Sequence, residues 1–388
     1  MRAVTFWRGG RVTAYRYVFI GLPISGSWSH GYAAAHRALL SELSRRGHDV
    51  LFLERDLPFG FAPGVPAAPP LPRVDRYDDA GDLRRRHQRA VREADLVVVG
   101  SYLPEGVAIG AWVTEIAPGR AAFYDIDTPV TLARLERGED DHIAPALIHR
   151  YDLYLSFTGG PSLDLLARRF GARCARPLYG SVDPSTFFPE PVEPRWDLGH
   201  LGDHSADRRP ALERLLLEPA RRFPHGRFLV AGAHYPANIA WPANIDHRDP
   251  ADPADRRALL SSQRFTLDLT RRDLALAGCS PSMRLFEAAA AGVPVITDAW
   301  PGLDAFFTPG HEVLVARTSA DVLGFVRELS EDDRFAMGRR ARARVLAAHT
   351  AAHRAESLEE YTAEILEQAR ARAAPPPPFT PADEIGDA

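Results

Sequence analysis

Short apolar runs alternate with helix-forming stretches along most of the chain. The apolar runs at 17–22, 49–54, 96–99, 121–124, 153–157 and 173–177 predict strands in the first half. Those at 196–201, 227–231, 265–269, 293–297 and 312–315 predict strands in the second half. The stretches between them predict helices at 32–46, 82–94, 106–116, 162–170, 210–222, 254–262, 302–307, 319–329, 331–348 and 353–373. Strands that alternate with helices in this way indicate an α/β protein with doubly wound parallel sheets.

The length of 388 residues favours two domains over one. A stretch rich in proline, 181–194, predicts the linker between a first domain at 1–180 and a second at 195–348. Residues 1–16 show no clear pattern and are either an extra strand or extra residues from an upstream start codon. The proline-rich residues 58–72 predict a lid or acceptor loop, and 374–388 predict a disordered tail.

The stretch from Cys279 to Asp298, CSPSMRLFEAAAAGVPVITD, contains a complete helix–strand unit. Ser280 is a suitable N-cap, and Pro281 fits the first helical position. Gly292 can take the left-handed conformation that ends a helix, and the apolar residues after it predict a buried strand.

The first turn of this predicted helix directs free N–H groups beyond the sheet, where they can hold a diphosphate. Ser282 and Arg284 lie in that turn, and Glu287 follows one turn later on the same face. A cation beside phosphates and a carboxylate that accepts sugar hydroxyls would form a nucleotide-sugar site.

The segment RLFEAAAAGVPVITDAWPGLDAFFTPGHEVLVA resembles the donor-site segment of GT-B glycosyltransferases. It is most similar to the CgeB-like branch, which is related to glycosyltransferase group 1 (GT4). The segments FTLDLTRRDLALAGCSPS, LGDHSADRRPALERLLLEPA and GSWSHGYAAAHRALLSELSRRGHDVLFLERD also resemble that branch, so the resemblance extends from about 19 to about 361. It implies the GT-B fold, in which two Rossmann-like domains face each other across a cleft. It also implies that the last helix, 353–373, packs back on the first domain.

The resemblance places the nucleotide-sugar donor on the second domain. Glu287 matches a family glutamate that binds the nucleotide ribose, and Arg284 and Ser282 accompany it. The loop after the domain's first strand is expected to contact the donor phosphates through Gly202 and through Arg208 or Arg209, of which Arg208 is preferred. Tyr235 is a candidate for contact with the base. For Arg208 the alternative is an exposed arginine at a helix start.

The acceptor is expected on the first domain. Asp125 and Asp127 follow a predicted strand at the cleft edge and can bind acceptor hydroxyls or take a proton from one. Two alternatives remain: Asp127 caps the helix near Thr131, or the pair holds a divalent metal, which GT-B enzymes generally do not need. His30 is a second acceptor-side candidate unless it only packs or caps. Arg271 is expected to neutralise charge on the leaving diphosphate.

Cys279 departs from the family pattern. Group 1 enzymes carry a second glutamate, seven residues before the one matched by Glu287, and in relatives it contacts the donor sugar. Cys279 occupies that position, and a thiol cannot replace a carboxylate. The resemblance therefore implies nucleotide binding more strongly than it implies how the donor sugar is placed.

Composition narrows the possible partners. The net charge of −4 argues against nucleic acid, and all 47 basic residues are arginine. Two cysteines are too few for a disulfide framework or zinc site, and no apolar run reaches the length of a membrane span. We expect a cytoplasmic protein with no metal and no tightly bound cofactor, which uses a UDP, GDP or TDP sugar. The sequence does not indicate an oligomeric state.

These features predict a hexosyl- or pentosyltransferase that acts on a natural-product, envelope or spore-glycan acceptor. Two alternatives stay open: a GT-B nucleotide-sugar epimerase or hydrolase, and a non-catalytic carbohydrate-assembly protein. The main support for the second is the missing carboxylate at Cys279.

Overall fold

A computed structural model describes residues 4–7, 10–25, 31–57, 73–249 and 253–373. The acceptor-side candidate His30, the predicted loop 58–72 and the predicted tail 374–388 lie outside these ranges. At the start of the chain, β1 (Val4–Trp7) and β2 (Gly10–Thr13) pair as an antiparallel hairpin. The first 16 residues thus contain two short strands.

The first domain is an alternation of strands and helices. Its elements are β3 (Arg16–Gly21), α1 (Gly31–Arg45), β4 (Asp49–Arg55), β5 (Arg73–Tyr77), α2 (Ala80–Glu93), β6 (Leu96–Gly100), α3 (Gly106–Ile116), β7 (Ala121–Asp125), α4 (Thr128–Glu136), α5 (Pro145–Ile148), β8 (Leu153–Ser156), α6 (Pro161–Phe170) and β9 (Ala175–Pro177). The seven strands form one parallel sheet in the order β5-β4-β3-β6-β7-β8-β9. Both β6 and β7 are buried along their whole length, because helices cover both faces of the sheet.

The second half of the chain repeats this plan, and its last helix packs on the first domain. Its elements are β10 (Trp196–Leu201), α7 (Arg209–Leu212), α8 (Glu218–Arg222), β11 (Phe228–Ala231), β12 (Ile245–Arg248), α9 (Pro253–Ser261), β13 (Gln263–Asp268), α10 (Arg272–Ala277), α11 (Met283–Ala290), β14 (Val295–Thr297), β15 (Leu314–Val315), α12 (Ser319–Glu328), α13 (Glu331–Ala348) and α14 (Ala351–Ala373). A π-helical turn, Glu213–Leu217, joins α7 to α8. The six strands form a parallel sheet in the order β12-β11-β10-β13-β14-β15.

The strand orders confirm the doubly wound α/β architecture. In each sheet the chain runs outward over three strands and then returns to the other side of the first one. This reversal falls between β3 and β6 in the first sheet and between β10 and β13 in the second. Ligands of open α/β sheets bind beyond the carboxyl ends of the strands at such a switch point.

The last helix, α14, joins the second half of the chain to the first domain. Its buried residues Ala355, Leu358 and Ile365 pack in the same apolar cluster as Tyr17 of β3. Arg354 of α14 also donates to the backbone oxygens of residues 179 and 180. The helix thus covers one face of the first sheet.

Several boundaries differ from the sequence expectations. Helix α11 begins at Met283 with Ser282 as its N-cap, so the expectation that Ser280 caps the helix and Pro281 opens it is wrong. Gly292 has φ of 73°, as predicted for a helix end. The strands β5 and β12 were not predicted, because they lie at sheet edges and have few apolar residues. The helix α10 was not predicted, because its six residues are too few to show a helical period.

Candidate functional site

A cleft of about 430 Å³ lies between the two domains. Residues of the first domain that line it follow β7 and β8 or lie on α1, namely Tyr32, Ile126, Asp127 and Phe157. The second domain contributes residues from the loops after β10, β11 and β13, from α9 and from the start of α11. Those with polar or charged side chains are Asp203, Arg208, Arg256, Arg271, Ser280, Ser282, Arg284 and Glu287. The cleft therefore sits at the switch point of the second sheet.

A buried carboxylate organises the start of α11. The Ser282 hydroxyl accepts from the backbone N–H of Leu285 at 3.2 Å and donates to Asp268 Oδ2 at 2.7 Å. Arg284 Nε donates to the other oxygen, Asp268 Oδ1, at 3.3 Å. Asp268 is 3% exposed and ends β13. It therefore fixes both the cap and the arginine beside the free N–H groups of the helix.

Arg208 brings a second cation to the same wall. Its Nε donates to Ser205 Oγ at 2.8 Å and its Nη2 to the backbone oxygen of Asp203 at 3.2 Å. Burial and the nearby positive charge of Arg284 lower the pKa of Arg208 to about 10, so the group stays protonated at neutral pH. Two neighbouring cations at a helix N-terminus favour a ligand with two negative charges.

Gly202 leaves room for Arg284. A Cβ at this position would lie 2.6 Å from Arg284 Nη1. The Gly202 carbonyl accepts from the Tyr235 hydroxyl at 2.8 Å. Gly202 thus lines the cleft itself, whereas Tyr235 packs beside Trp241 and supports the loop from behind. The structure does not bring Tyr235 into the cleft, where its predicted contact with a base would require it.

Glu287 lies one turn beyond the cap and lines the cleft, as the sequence hypothesis requires. Its Oε2 accepts from Arg256 Nη2 at 2.7 Å. Arg256 lies on α9 and was not among the predicted residues, because nothing in its helix distinguishes it from the other arginines of the chain. Asp268 was also missed, since a carboxylate at the end of a strand is a weak signal.

Asp127 contacts the second domain directly. Its Oδ2 accepts from Arg271 Nη1 at 2.8 Å and from the Tyr102 hydroxyl at 3.3 Å. Its Oδ1 is buried without a hydrogen-bond partner in the described part of the chain. Burial raises the pKa of Asp127, although Arg271 acts in the opposite direction. Helix α4 begins at Thr128 with Asp127 at its N-cap position, as the capping alternative requires, but the Asp127 side chain makes no cap hydrogen bond to the helix.

Asp125 lies away from the cleft. It is fully buried and accepts from the Tyr154 hydroxyl at 2.7 Å, the Thr131 hydroxyl at 3.1 Å and the backbone N–H of Asp127 at 3.1 Å. Those three donors make it a structural carboxylate, which corrects its assignment as an acceptor residue. Among the described residues, no group of three or more histidine, cysteine or acidic side chains could hold a metal ion.

Cys279 occupies a tight space at the domain boundary. Its backbone is left-handed, with φ of 47°. A Cβ on Gly160 of the first domain would lie 2.9 Å from its Sγ, and one on Gly302 would lie 2.4 Å away. Burial raises the pKa of the Cys279 thiol. The next residue, Ser280, shares a 2.9 Å hydrogen bond with Thr158 across the boundary.

Comparison with known proteins agrees with this architecture. Residues 208–360 match the family model described as "Glycosyl transferase-like". No curated protein sequence is significantly similar to the chain. No helix within the described ranges has the length and apolar character needed to cross a membrane.

Solved structures with the same fold cover nearly the whole chain. Sucrose-phosphate synthase from Thermosynechococcus elongatus has a TM-score of 0.61 at 16% identity, over 92% of this chain and 100% of that one. HepE from Anabaena, solved with UDP and glucose, has a TM-score of 0.61 at 14% identity, over 90% of this chain and 100% of that one. An α-glucosyltransferase solved with UDP and DNA has a TM-score of 0.67 at 11% identity, over 90% of this chain and 99% of that one. The chain thus has the fold of the GT-B glycosyltransferases, and its second half has a glycosyl transferase-like sequence. Membership of the CgeB-like branch stays a prediction.

Proposed function

We propose that the chain is a glycosyltransferase that moves a sugar from a nucleoside-diphosphate sugar to an acceptor hydroxyl. The observation that carries the proposal is the convergence of Arg208, Arg284 and the N-terminus of α11 on one interdomain cleft, with Glu287 one turn deeper. Cations and free N–H groups bind phosphates, and a carboxylate accepts hydroxyls of the adjoining sugar.

In this proposal, the donor diphosphate lies against the start of α11. Arg284 is held in place by Asp268, so little conformational entropy is lost when it binds a phosphate oxygen. Arg208 pairs with a second oxygen, and Arg271 approaches from the loop after β13. As the bond between the anomeric carbon and the phosphate oxygen breaks, these charges stabilise the negative charge that develops on the leaving diphosphate.

The acceptor lies on the other side of the cleft, near Asp127. Its hydroxyl oxygen forms a bond to the anomeric carbon, and its proton passes to the Asp127 carboxylate. Once the diphosphate draws Arg271 towards itself, Asp127 loses its ion-pair partner and becomes a stronger base. Tyr102 keeps the carboxylate oriented. Walls from both domains exclude water, which favours transfer over hydrolysis.

A UDP sugar is the first candidate for the donor, since a similar structure was solved with UDP and glucose. GDP and TDP sugars should be tested beside it. The transferred sugar is a hexose or a pentose. The acceptor is a natural product, an envelope glycan or a spore glycan. The net charge of −4 still argues against nucleic acid, but DNA belongs in the acceptor panel because one neighbour was solved with it.

Thermal shift with UDP, GDP and TDP tests the donor site, because a ligand that binds only the folded state raises the melting temperature. We expect at least one to raise it, and Glu287→Ala to abolish most of the shift. Glu360→Ala, an exposed substitution on α14, serves as the matched control and should keep the full shift. If Glu287→Ala kept the full thermal shift and affinity for these nucleotides, the assignment of Glu287 to the donor site would be contradicted. Incubation of donor alone then separates a transferase from an epimerase or hydrolase, which would form a new sugar nucleotide or free sugar.

A further inference from the structure

One carboxylate holds the loop that carries Arg271. Asp298 directly follows β14, and its Oδ1 accepts from the backbone N–H of Thr270 at 3.0 Å and from the Thr270 hydroxyl at 2.8 Å. Thr270 is 6% exposed and directly precedes Arg271 in the chain. Asp298 therefore fixes the residue next to the one whose side chain reaches across the cleft to Asp127.

These two hydrogen bonds lie just beyond the end of the sheet. The parallel pairing of β13 with β14 ends at Asp268 and Thr297, and Thr270 lies two residues past that pair. A buried backbone N–H that finds no acceptor destabilises the fold. The Asp298 side chain supplies the acceptor at the point where the backbone pairing of the two strands has stopped.

Arg271 thus lies between two residues whose backbones are held by carboxylates. On its other side, Asp207 accepts from the backbone N–H of Arg272 at 3.1 Å, and α10 begins at Arg272. Arg271 is the N-cap residue of this helix, but its side chain makes no cap hydrogen bond and lines the cleft. A long side chain on a fixed backbone loses less conformational freedom when it binds a phosphate.

We propose that Asp298 is a positioning residue, which sets Arg271 against the donor diphosphate by holding Thr270. Asp298 is not among the described residues that line the cleft, so it acts on the donor only through its neighbours. Without it, the backbone before Arg271 is free to turn, and the guanidinium spends less time at the diphosphate. This inference rests on the proposed function, because it takes Arg271 as a group that binds the donor diphosphate.

The test is a double-mutant cycle, in which calorimetry measures the dissociation constant of whichever of UDP, GDP and TDP binds the wild type most tightly. Burial and the nearby Asp268 carboxylate raise the pKa of Asp298 to about 6, although hydrogen bonds from Thr270 oppose the rise. The measurements are therefore made at about pH 8, where the carboxylate is ionised.

We expect Arg271→Gln to weaken binding by about tenfold, the lower end for a hydrogen bond between charged groups, because Arg271 must first leave Asp127. Asp298→Ala should weaken binding by about fivefold, and the double variant should match Arg271→Gln within about twofold, because one residue acts through the other. Independent effects would multiply to about fiftyfold, which would overturn the inference while the proposed function stands. Wild-type affinity in Asp298→Ala would also overturn it.

Asp298→Asn separates the hydrogen bonds from the charge, because an amide oxygen can still accept from Thr270. It should bind the nucleotide no more than about twofold more weakly than the wild type, and a loss equal to that of Asp298→Ala overturns the inference. The matched control is Asp321→Ala. Asp321 also holds two backbone N–H groups, those of Arg317 and Thr318, but lies outside the described lining of the cleft. It should lower the free energy of unfolding and leave the affinity unchanged.

A second variant keeps the test decisive if Asp298→Ala does not fold. Thr270→Val removes one of the two hydrogen bonds and keeps the shape of the side chain. It should weaken binding by about threefold in the wild type and not at all beside Arg271→Gln, and equal losses in both backgrounds overturn the inference. If Arg271→Gln binds like the wild type, the proposed role of Arg271 fails together with this inference. If the wild type binds none of the three nucleotides, the proposed function fails as well.

Discussion

Arg271 Nη1 donates to Asp127 Oδ2 over 2.8 Å, and this contact joins the two domains across the cleft. Arg271 comes from the loop after β13 and Asp127 from the loop after β7. Without ligand, each neutralises the other's charge. A diphosphate in the cleft would compete with Asp127 for Arg271, which couples donor binding to the release of the proposed base.

The first prediction concerns Asp127 as the proton acceptor. Asp127→Asn should lower kcat by about 10²–10⁴, because an amide cannot take the acceptor proton, and it should not weaken the binding of nucleoside diphosphate, because Arg271 then no longer has to leave an ion pair. Steady-state release of nucleoside diphosphate and calorimetry measure the two quantities. A variant with full kcat would exclude Asp127 as the base.

The second prediction follows from the charge of Arg271. Burial raises the pKa of Asp127, and Arg271 opposes that rise. Arg271→Gln removes the opposing charge, so the pKa rises further. The acid limb of kcat/KM for the donor, which reports the enzyme before a diphosphate draws Arg271 away, therefore moves to higher pH. A series of rate measurements between about pH 4 and 8 checks this direction. The exposed neighbour Arg272→Gln is the control, and a limb that moves to lower pH would contradict the assignment.

The third prediction uses two glycines in different surroundings. Gly202→Ala places a Cβ 2.6 Å from Arg284 Nη1, so the arginine must move and nucleotide affinity should fall about tenfold. Gly324→Ala lies inside α12 with nothing within 4 Å of the added Cβ. It should leave affinity unchanged and raise the free energy of unfolding by about 0.5–1 kcal/mol. Calorimetry and urea denaturation measure the two effects, and equal affinities would show that Arg284 does not bind the diphosphate.

The fourth prediction concerns acid stability. Burial opposes ionisation of Glu359, but hydrogen bonds from Arg46 and His48 outweigh it and lower its pKa to about 2. Because the pKa is lower in the folded state, the stabilisation is complete above about pH 4.5 and is lost as pH falls towards 2. Glu359→Gln should destabilise the protein by about 2 kcal/mol at pH 7 and by less at pH 3. Urea denaturation at both values tests this, with the exposed Glu360→Gln as control.

Local patterns in the sequence predicted much of the fold. The runs that became β6 and β7 are apolar enough to require burial on both faces, and they predicted parallel strands. Helices α3 and α13 begin and end where the pattern placed them, because capping and periodicity act over a few residues. Arg284 and Glu287 share one helix face at a fixed spacing, so their common approach to the cleft could also be predicted.

Other expectations failed for reasons outside the local sequence. Both Ser280 and Ser282 are residue types that can cap a helix. Ser282 is the N-cap of α11, whereas the Ser280 hydroxyl hydrogen-bonds to Thr158 of the other domain. Tyr235 follows a strand at the cleft edge, but its ring packs against Trp241. Asp125 and Asp127 are two residues apart, and only their surroundings separate a buried structural carboxylate from one in the cleft.

The sequence by itself determined the alternation of strands and helices, the two parallel sheets and the helix face that carries Arg284 and Glu287, because hydrophobic periodicity and capping are local. The tertiary structure alone decided which charges meet. Arg256 reaches Glu287 from 31 residues away, and Arg271 reaches Asp127 from 144 residues away. Charge pairing acts over a few ångströms in space, and no spacing along the chain encodes which side chains the fold brings that close.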